Sequence, residues 1–195
     1  MENYLERDCI NFDSPFAISE FSNSLLKYLT HNTYDYDEIV ILCVGTDRST
    51  GDALGPLVGY KLMPHIIKYD KVHLMGTLNE PIHAKNLQEY IETIKISHAN
   101  ALVLAIDASL GHNSCIGQII IKKGPLKPGL GVNKNLPEIG DLSITGVVNV
   151  GGLMEYMVLQ NTRLSLVMNM ADIIARGIDL SLFKIYGSFL DKKIK

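Results

Sequence analysis

An uninterrupted apolar run at residues 39–44, IVILCV, constrains the fold of this chain more than any other feature. The run is rich in β-branched residues and lacks polar alternation, which is typical of a strand buried on both faces of a parallel sheet. Gly45 ends it, a polar turn follows, and apolar residues then recur at helical spacing. The segment Glu38–Tyr60 therefore predicts a strand, a turn and a helix, with Asp52 at the start of the helix.

The other apolar segments predict strands and helices that alternate along the chain. We expect further strands at residues 71–77, 101–106, 117–123 and 141–148, helices at 15–29, 81–97 and between Thr162 and Gly177, and either state at 153–159. This order favours an α/β fold, a three-layer α/β/α sandwich around a mostly parallel sheet. Residues 1–14 are polar and predict an irregular N-terminal arm, with 15–195 as the core of a single domain spanning 1–195.

Composition narrows the classes of function. The chain has 195 residues, 47% of them hydrophobic, and a net charge of −3, which argues against a nucleic-acid partner. Cys9, Cys43 and Cys115 are too widely spaced to indicate a disulfide framework or a metal motif, so a reducing, cytoplasmic location is expected. No stretch of 18 apolar residues and no signal segment occurs, so neither membrane insertion nor secretion is indicated.

Two aspartates follow buried strands and are the main candidates for chemistry. Asp52 follows the first strand and its turn, and Asp107 follows ALVLAI directly. If those strands are neighbours in a parallel sheet, both carboxylates face one crevice at its carboxyl edge, where two close carboxylates share a proton and can work as base and acid. The alternatives are that Asp52 caps its helix and that Asp107 binds local backbone N–H groups in a loop.

Several further residues, most of them polar, are predicted to line the same crevice. They are Gly45, Thr46 and Asp47 in the first turn, Asn79, Glu80 and His83 after the second strand, and Ser109 after Asp107. His83 could assist proton transfer, although Asn79 and Glu80 could instead simply start a helix. The long Gly- and Pro-rich connection at residues 124–140 is expected to cover the site. His65, His73 and His98 show no partner spacing and are interpreted as structural.

Other nucleophiles and nucleotide loops are less well supported. Cys43 lies within a predicted buried strand, Cys115 has no evident His partner, and Asp107, Ser109 and His112 are too close in sequence for triad geometry. Gly51, Gly55 and Gly59 recur on one helix face, which predicts close backbone packing rather than a phosphate-binding loop, because neither the P-loop nor the GxGxxG spacing is present.

A set of ordered motifs resembles the germination protease of spore-forming bacteria and, most closely, the YyaC-like sporulation protein family. The motifs cover about residues 38–178 and read Gly45-Thr46, DALGP at 52–56, AIDA at 105–108, KPGLGV at 127–132 and ITGVV at 144–148. In the germination protease, the matching aspartates are the proposed catalytic pair of an unusual aspartic peptidase that degrades small acid-soluble spore proteins. The resemblance thus implies that Asp52 and Asp107 are catalytic.

The same landmarks resemble hydrogenase maturation endopeptidases, which bind nickel through residues matching Asp52 and Asp107 and through a later histidine. No histidine follows His112 in this chain, so only Glu138, Asp141 or a rearranged His112 could replace that ligand. Both related families also usually have Asn where this chain has Thr46. We therefore predict no metal and no other cofactor.

Together these features predict a sporulation-associated endopeptidase that hydrolyses spore proteins with water activated between Asp52 and Asp107. The expected partner is a protein or peptide substrate, with no nucleic acid or membrane, and a homo-oligomer is left open. The alternatives are a catalytically silent sporulation protein that binds a partner through the same crevice, and a nickel-dependent maturation-type peptidase.

Overall fold

The computed structural model describes residues 7–30, 35–128 and 136–190, which are built around a six-stranded sheet. The strands are β1 (Arg7–Asn11), β2 (Glu38–Cys43), β3 (Val72–Met75), β4 (Ala101–Gly111), β5 (Gln118–Lys123) and β6 (Leu142–Val150). The helices are α1 (Ala17–Thr30), α2 (Leu54–Ile66), α3 (Leu87–Ser97), α4 (Glu155–Gln160) and α5 (Leu164–Leu190).

The sheet is mostly parallel, as the sequence predicts. Its strand order is β1-β5-β6-β4-β2-β3, in which β6, β4, β2 and β3 run parallel while β5 and β1 are joined by antiparallel pairing. The central strands β2 and β4 are neighbours, with Cys43 opposite Ile106. The carboxyl ends of these two strands therefore meet at one edge of the sheet.

Both faces of the sheet are covered by helices, which confirms the three-layer architecture. On β2, Ile39, Ile41 and Cys43 join one apolar cluster with residues of α1, α2 and α5. Alternate residues Val40 and Leu42 join a second cluster with residues of α3. The unbroken apolar run is thus explained by burial on both faces of the strand.

Close helix packing at glycines is confirmed, but one glycine was misinterpreted. A Cβ at Gly55 would overlap the Val44 carbonyl, and one at Gly59 would overlap the Gly76 carbonyl, so α2 lies directly against the sheet connections. Gly177, expected to end the last helix, instead lies within α5, where its missing side chain accommodates the ring of Phe21.

Three other boundaries differ from the sequence prediction. The predicted irregular arm at 1–14 is wrong for residues 7–11, because β1 pairs with β5; residues 1–6 lie outside the described part. Helix α3 begins at Leu87, later than expected, and β4 continues beyond residue 106 to Gly111. The ambiguous segment at 153–159 contains the helix α4.

None of the described helices combines the length and hydropathy that a membrane-spanning segment requires.

Candidate active site

Asp52 lies just beyond the carboxyl end of β2, on a short 3₁₀ turn at Gly51–Ala53 that leads into α2. The Thr46 N–H donates a hydrogen bond to the Asp52 carbonyl over 3.0 Å. Gly45 has φ +141°, and a Cβ there would overlap that same carbonyl. The loop can therefore fold back onto Asp52 only because position 45 is glycine.

The capping interpretation of Asp52 is wrong. The N-cap positions of the 3₁₀ turn and of α2 are Thr50 and Ala53, so Asp52 occupies neither of them. The carboxylate is instead a lining group of a cavity at the carboxyl edge of the sheet.

Asp107 is held inside β4 rather than in a loop after it. It pairs with Thr145 of β6, and the strand continues past a register shift between Ser109 and Leu110. Its side chain is only 6% exposed, and its Oδ1 accepts a hydrogen bond from the Ala108 N–H over 2.8 Å. The expected local backbone contact is present, but a strand, not a loop, fixes the residue.

A cavity of about 480 Å³ contains both aspartates. The predicted residues Gly45, His83 and Ser109 also line it. Parts of the 124–140 connection lie against it, namely residues 125–128 and Leu136, as expected for a covering loop. Residues 129–135 of that connection, which carry most of the KPGLGV motif, lie outside the described part of the chain.

Burial and like charge raise the pKa values of this carboxyl pair. Burial raises the pKa of Asp107 well above its ordinary value, and the charge of Asp52 raises it further, against the Ala108 hydrogen bond. Burial also raises the pKa of Asp52, and the charge of His83 opposes this increase. The pair therefore favours a state in which Asp107 carries the proton and Asp52 carries the charge.

His83 comes from the connection between β3 and α3. Its backbone N–H donates to Asn86 Oδ1 over 2.8 Å, which fixes the loop at this point. Its Nδ1 is buried and, within the described residues, has no hydrogen-bond partner. The imidazole therefore has an unused polar atom in the cavity that His83 shares with Asp52.

Four predicted lining residues are not brought to this cavity. Asn79 and Glu80 line a separate cavity of about 420 Å³ with residues of α2 and β3, and they do not start α3. Thr46 and Asp47 lie on the β2 loop, where the Thr46 side chain accepts from the Arg48 N–H over 3.3 Å. Neither Thr46 nor Asp47 is a lining residue of the aspartate cavity.

Sequence reasoning missed the basic groups of the cavity. Arg7 of β1 and Lys122 of β5 are opposite one another in the sheet, and both line it. Lys127 does so from the covering loop, where its Nζ lies 2.8 Å from Glu138. No local signal marks these groups, because the polar residues of β1 predict an irregular arm and its pairing with β5 is not visible in the sequence.

The remaining nucleophile candidates do not assemble a second site here. Burial strongly raises the pKa of the Cys43 thiol inside β2, which disfavours the reactive thiolate. His112 is exposed, and its Nδ1 lies 2.9 Å from Ser114 Oγ rather than against Ser109. Asp107, Ser109 and His112 therefore do not form a catalytic triad.

The replacement ligands considered for nickel do not fit. Glu138 is paired with Lys127, Asp141 Oδ2 accepts from the Val103 N–H over 2.8 Å, and His112 is turned toward Ser114. In the described ranges, no third His, Cys, Asp or Glu forms a group with Asp52 and Asp107 whose ligand atoms lie within 4.8 Å of one another. We therefore assign no metal chemistry to this cavity.

Comparison with a known structure supports the fold assignment. The chain is similar to the NiFe hydrogenase maturation protease HycI from Thermococcus kodakarensis KOD1, with a TM-score of 0.55. The similarity covers 82% of this chain and 98% of that one at 22% sequence identity. At this identity the likeness concerns the fold alone.

Sequence comparison identifies the family. The chain is 55% identical over 143 residues to "Uncharacterized protein YyaC" of Bacillus subtilis (strain 168), a match that covers 73% of this chain and 69% of that protein. Residues 9–177 match the family described as "Protein of unknown function (DUF1256)". The resemblance to YyaC-like proteins is thereby confirmed, and the chain belongs to the DUF1256 family.

Proposed function

We propose that this protein is an endopeptidase that uses Asp52 and Asp107 to activate water. The observation that carries the proposal is a pair of carboxyl groups that line one cavity, Asp107 buried and Asp52 half-buried, both with raised pKa values. Acid–base hydrolysis needs one ionised and one protonated group at the same pH, and like-charge pairs provide both.

The proposed reaction starts with Asp52 ionised and Asp107 protonated. Asp52 takes a proton from water as the water oxygen bonds to the peptide carbonyl carbon, and Asp107 protonates the carbonyl oxygen. The C–N bond then breaks, Asp52 gives its proton to the leaving amine, and a hydroxyl proton of the intermediate returns to Asp107. The products are one carboxylic acid and one amine, and both aspartates recover their starting states.

The substrate is expected to be a protein segment with acidic residues beside the scissile bond. Arg7 and Lys122 give the cavity a basic wall, which would attract carboxylate side chains. The likeness to the germination protease supports spore proteins as the substrate class, and a role inside a sporulating cell follows from it.

A cleavage assay tests this proposal directly. Purified protein is incubated with extracted spore proteins, and the fragments are identified by mass spectrometry. We expect Asp52→Asn and Asp107→Asn each to reduce the cleavage rate by about 10²–10⁴-fold, the usual contribution of an acid or base group. Asp70→Asn, a change of an exposed carboxylate between α2 and β3, is the matched control and should retain the rate.

The activity proposal fails if cleavage survives either aspartate change in a folded variant, as judged by circular dichroism. It also fails if no cleavage of any spore protein is found for the unchanged protein.

A second candidate is a protein without turnover that binds a partner at the same place. It is favoured by apolar side chains exposed around α4, including Leu153 at 92% and Met154 at 68%, because Glu155 and Leu159 of this segment line the cavity. Met154 also has φ +57°, an uncommon conformation for this residue. In this case, a spore protein would be retained by the unchanged protein and lost by Leu153→Ser, while remaining uncleaved.

A further inference from the structure

A second cluster of ionisable side chains lies at the opposite edge of the sheet from the aspartates. Glu38 is the first residue of β2, His73 lies near the start of β3, and His98 follows the last residue of α3. The cluster therefore joins the amino ends of two parallel strands to the carboxyl end of a helix. It shares no residue with the cavity of Asp52 and Asp107.

The three side chains converge on one point. Glu38 Oε2 lies 2.6 Å from His73 Nε2 and 3.0 Å from His98 Nδ1. The two imidazole rings are 4.2 Å apart between centroids and inclined at 40°. One ligand atom from each residue lies within 4.8 Å of the others, and within the described ranges this is the only group of three such residues with that property.

These donors match a divalent transition-metal ion of borderline softness. Two imidazole nitrogens and one carboxylate oxygen are ligands that Zn²⁺ accepts at about 2.0–2.2 Å, with a fourth position left for water. Ligand atoms arranged tetrahedrally at that distance from an ion lie about 3.3–3.5 Å from one another. The distances from Glu38 Oε2 to the two imidazole nitrogens therefore need to lengthen by less than about 1 Å to admit the ion. The side chains are 24%, 34% and 15% exposed for Glu38, His73 and His98, which combines access for an ion with support from the fold.

We propose that Glu38, His73 and His98 form a binding site for Zn²⁺ or a similar divalent metal ion. The ion would connect β2, β3 and the end of α3, and so stabilise the edge of the sheet that carries no candidate catalytic group. This inference stands apart from the proposed peptidase activity, because the two sites lie at opposite edges.

Binding of Zn²⁺ alone to the full chain after chelator treatment tests the site. Titration calorimetry should give one equivalent bound, Zn²⁺ should raise the Tm, and Co²⁺ should give the visible absorption of a four-coordinate nitrogen and oxygen site. His73→Gln and His98→Asn each keep an amide N–H that can reach Glu38, but lose the imidazole. Loss of an outer partner of a metal ligand costs about 10–100-fold in affinity, so each of these changes and Glu38→Gln should cost at least about 100-fold.

Two controls separate this site from other binding. His65→Asn is the matched surface change and should leave Zn²⁺ affinity unchanged. His65 Nδ1 lies 3.3 Å from Asp179, and among the described residues no third His, Cys, Asp or Glu completes a metal-binding group with them. The double variant Asp52→Asn/Asp107→Asn should also keep the Zn²⁺ equivalent. The proposal is overturned if the unchanged protein binds no stoichiometric Zn²⁺, if His73→Gln and His98→Asn bind it normally, or if the aspartate double variant loses it.

An NMR measurement on the unchanged protein covers the case in which a cluster variant fails to fold. Zn²⁺ should shift the imidazole ¹⁵N signals of His73 and His98 and leave those of His65 in place. Unshifted signals from His73 and His98 at saturating Zn²⁺ would refute the site without any substitution.

Discussion

The carboxyl groups at the two edges of the sheet have pKa values that are shifted in opposite directions. At the carboxyl edge, burial and the charge of Asp52 raise the pKa of Asp107 well above its ordinary value. At the amino edge, hydrogen bonds from His98 and then His73 lower the pKa of Glu38, although some burial opposes them. The difference teaches that the neighbouring groups determine the state of a carboxyl group at a strand end. Burial beside another carboxylate favours the protonated form, whereas hydrogen bonds from histidines favour the ionised form, which can bind a cation.

The largest expected effect is a stability difference of opposite sign at the two edges. A carboxyl group whose pKa is raised in the folded state favours folding when it is protonated. The contribution of Asp107 to the free energy of unfolding therefore falls as pH rises from about 4 through its folded pKa. Asp107→Asn removes this loss and should be more stable than the unchanged protein at pH 8, with a Tm several degrees higher, since about 1 kcal/mol corresponds to about 2–4 °C at this chain length.

Glu38→Gln should show the reverse behaviour. A lowered folded pKa adds stability above about pH 4, and that stability is lost as pH falls through the folded pKa. The variant should therefore have a lower Tm than the unchanged protein at neutral pH, and the gap should close in acid. Melting curves by circular dichroism at pH 3 to 8 give the Tm difference between each variant and the unchanged protein. If this difference changed with pH in the same way for Asp107→Asn and Glu38→Gln, the comparison would be contradicted.

A smaller effect is expected from His83 on the pH dependence of cleavage. The charge of His83 lowers the pKa of Asp52, so His83→Gln should raise that pKa and move the acid limb of the rate profile to higher pH. The alkaline limb, which is set by Asp107, should change less than the acid limb. His112→Gln, an exposed histidine outside the cavity, is the control, and an equal shift in that variant would remove His83 from the site.

The smallest effect concerns the basic wall of the cavity. Lys122→Gln should raise KM for an acidic peptide by a few-fold at low salt, because an exposed charge pair contributes about 0.2–1 kcal/mol. kcat should stay nearly constant, and the KM difference should shrink in high salt as screening grows. Lys95→Gln, on the exposed face of α3, should have no effect, and a fall in kcat for Lys122→Gln would indicate a role beyond attraction.

The carboxyl edge could be predicted from sequence because its signals are local. An apolar run, a glycine and an aspartate mark the end of β2, and another run marks β4, so parallel pairing brings Asp52 and Asp107 together. The exact extent of β4 could not be predicted, because Asp107 to Gly111 reads as a turn yet is held by pairing with β6.

The amino edge could not be predicted because its signals are not local. Glu38, His73 and His98 are far apart in the chain. They meet because β2 pairs with both β3 and β4, and because His98 is hydrogen-bonded to Ala101 at the start of β4, opposite Glu38. Strand β1 was missed for a related reason, because Ile10 is its one buried apolar residue and the strand depends on β5 as its partner.

The continuation of β4 past Asp107 has a consequence for how the cavity can adjust. Asp107 sits between paired neighbours on a strand that cannot shift without breaking the ladder to β6, whereas Asp52 sits on a single 3₁₀ turn held by a loop contact from Thr46. Of the two aspartates, Asp52 is therefore the one whose position can adjust around a bound peptide. Amide hydrogen exchange at residues 46–52 should therefore be faster than at residues 104–108. Asp107 would keep its place in the sheet while Asp52 moves relative to it.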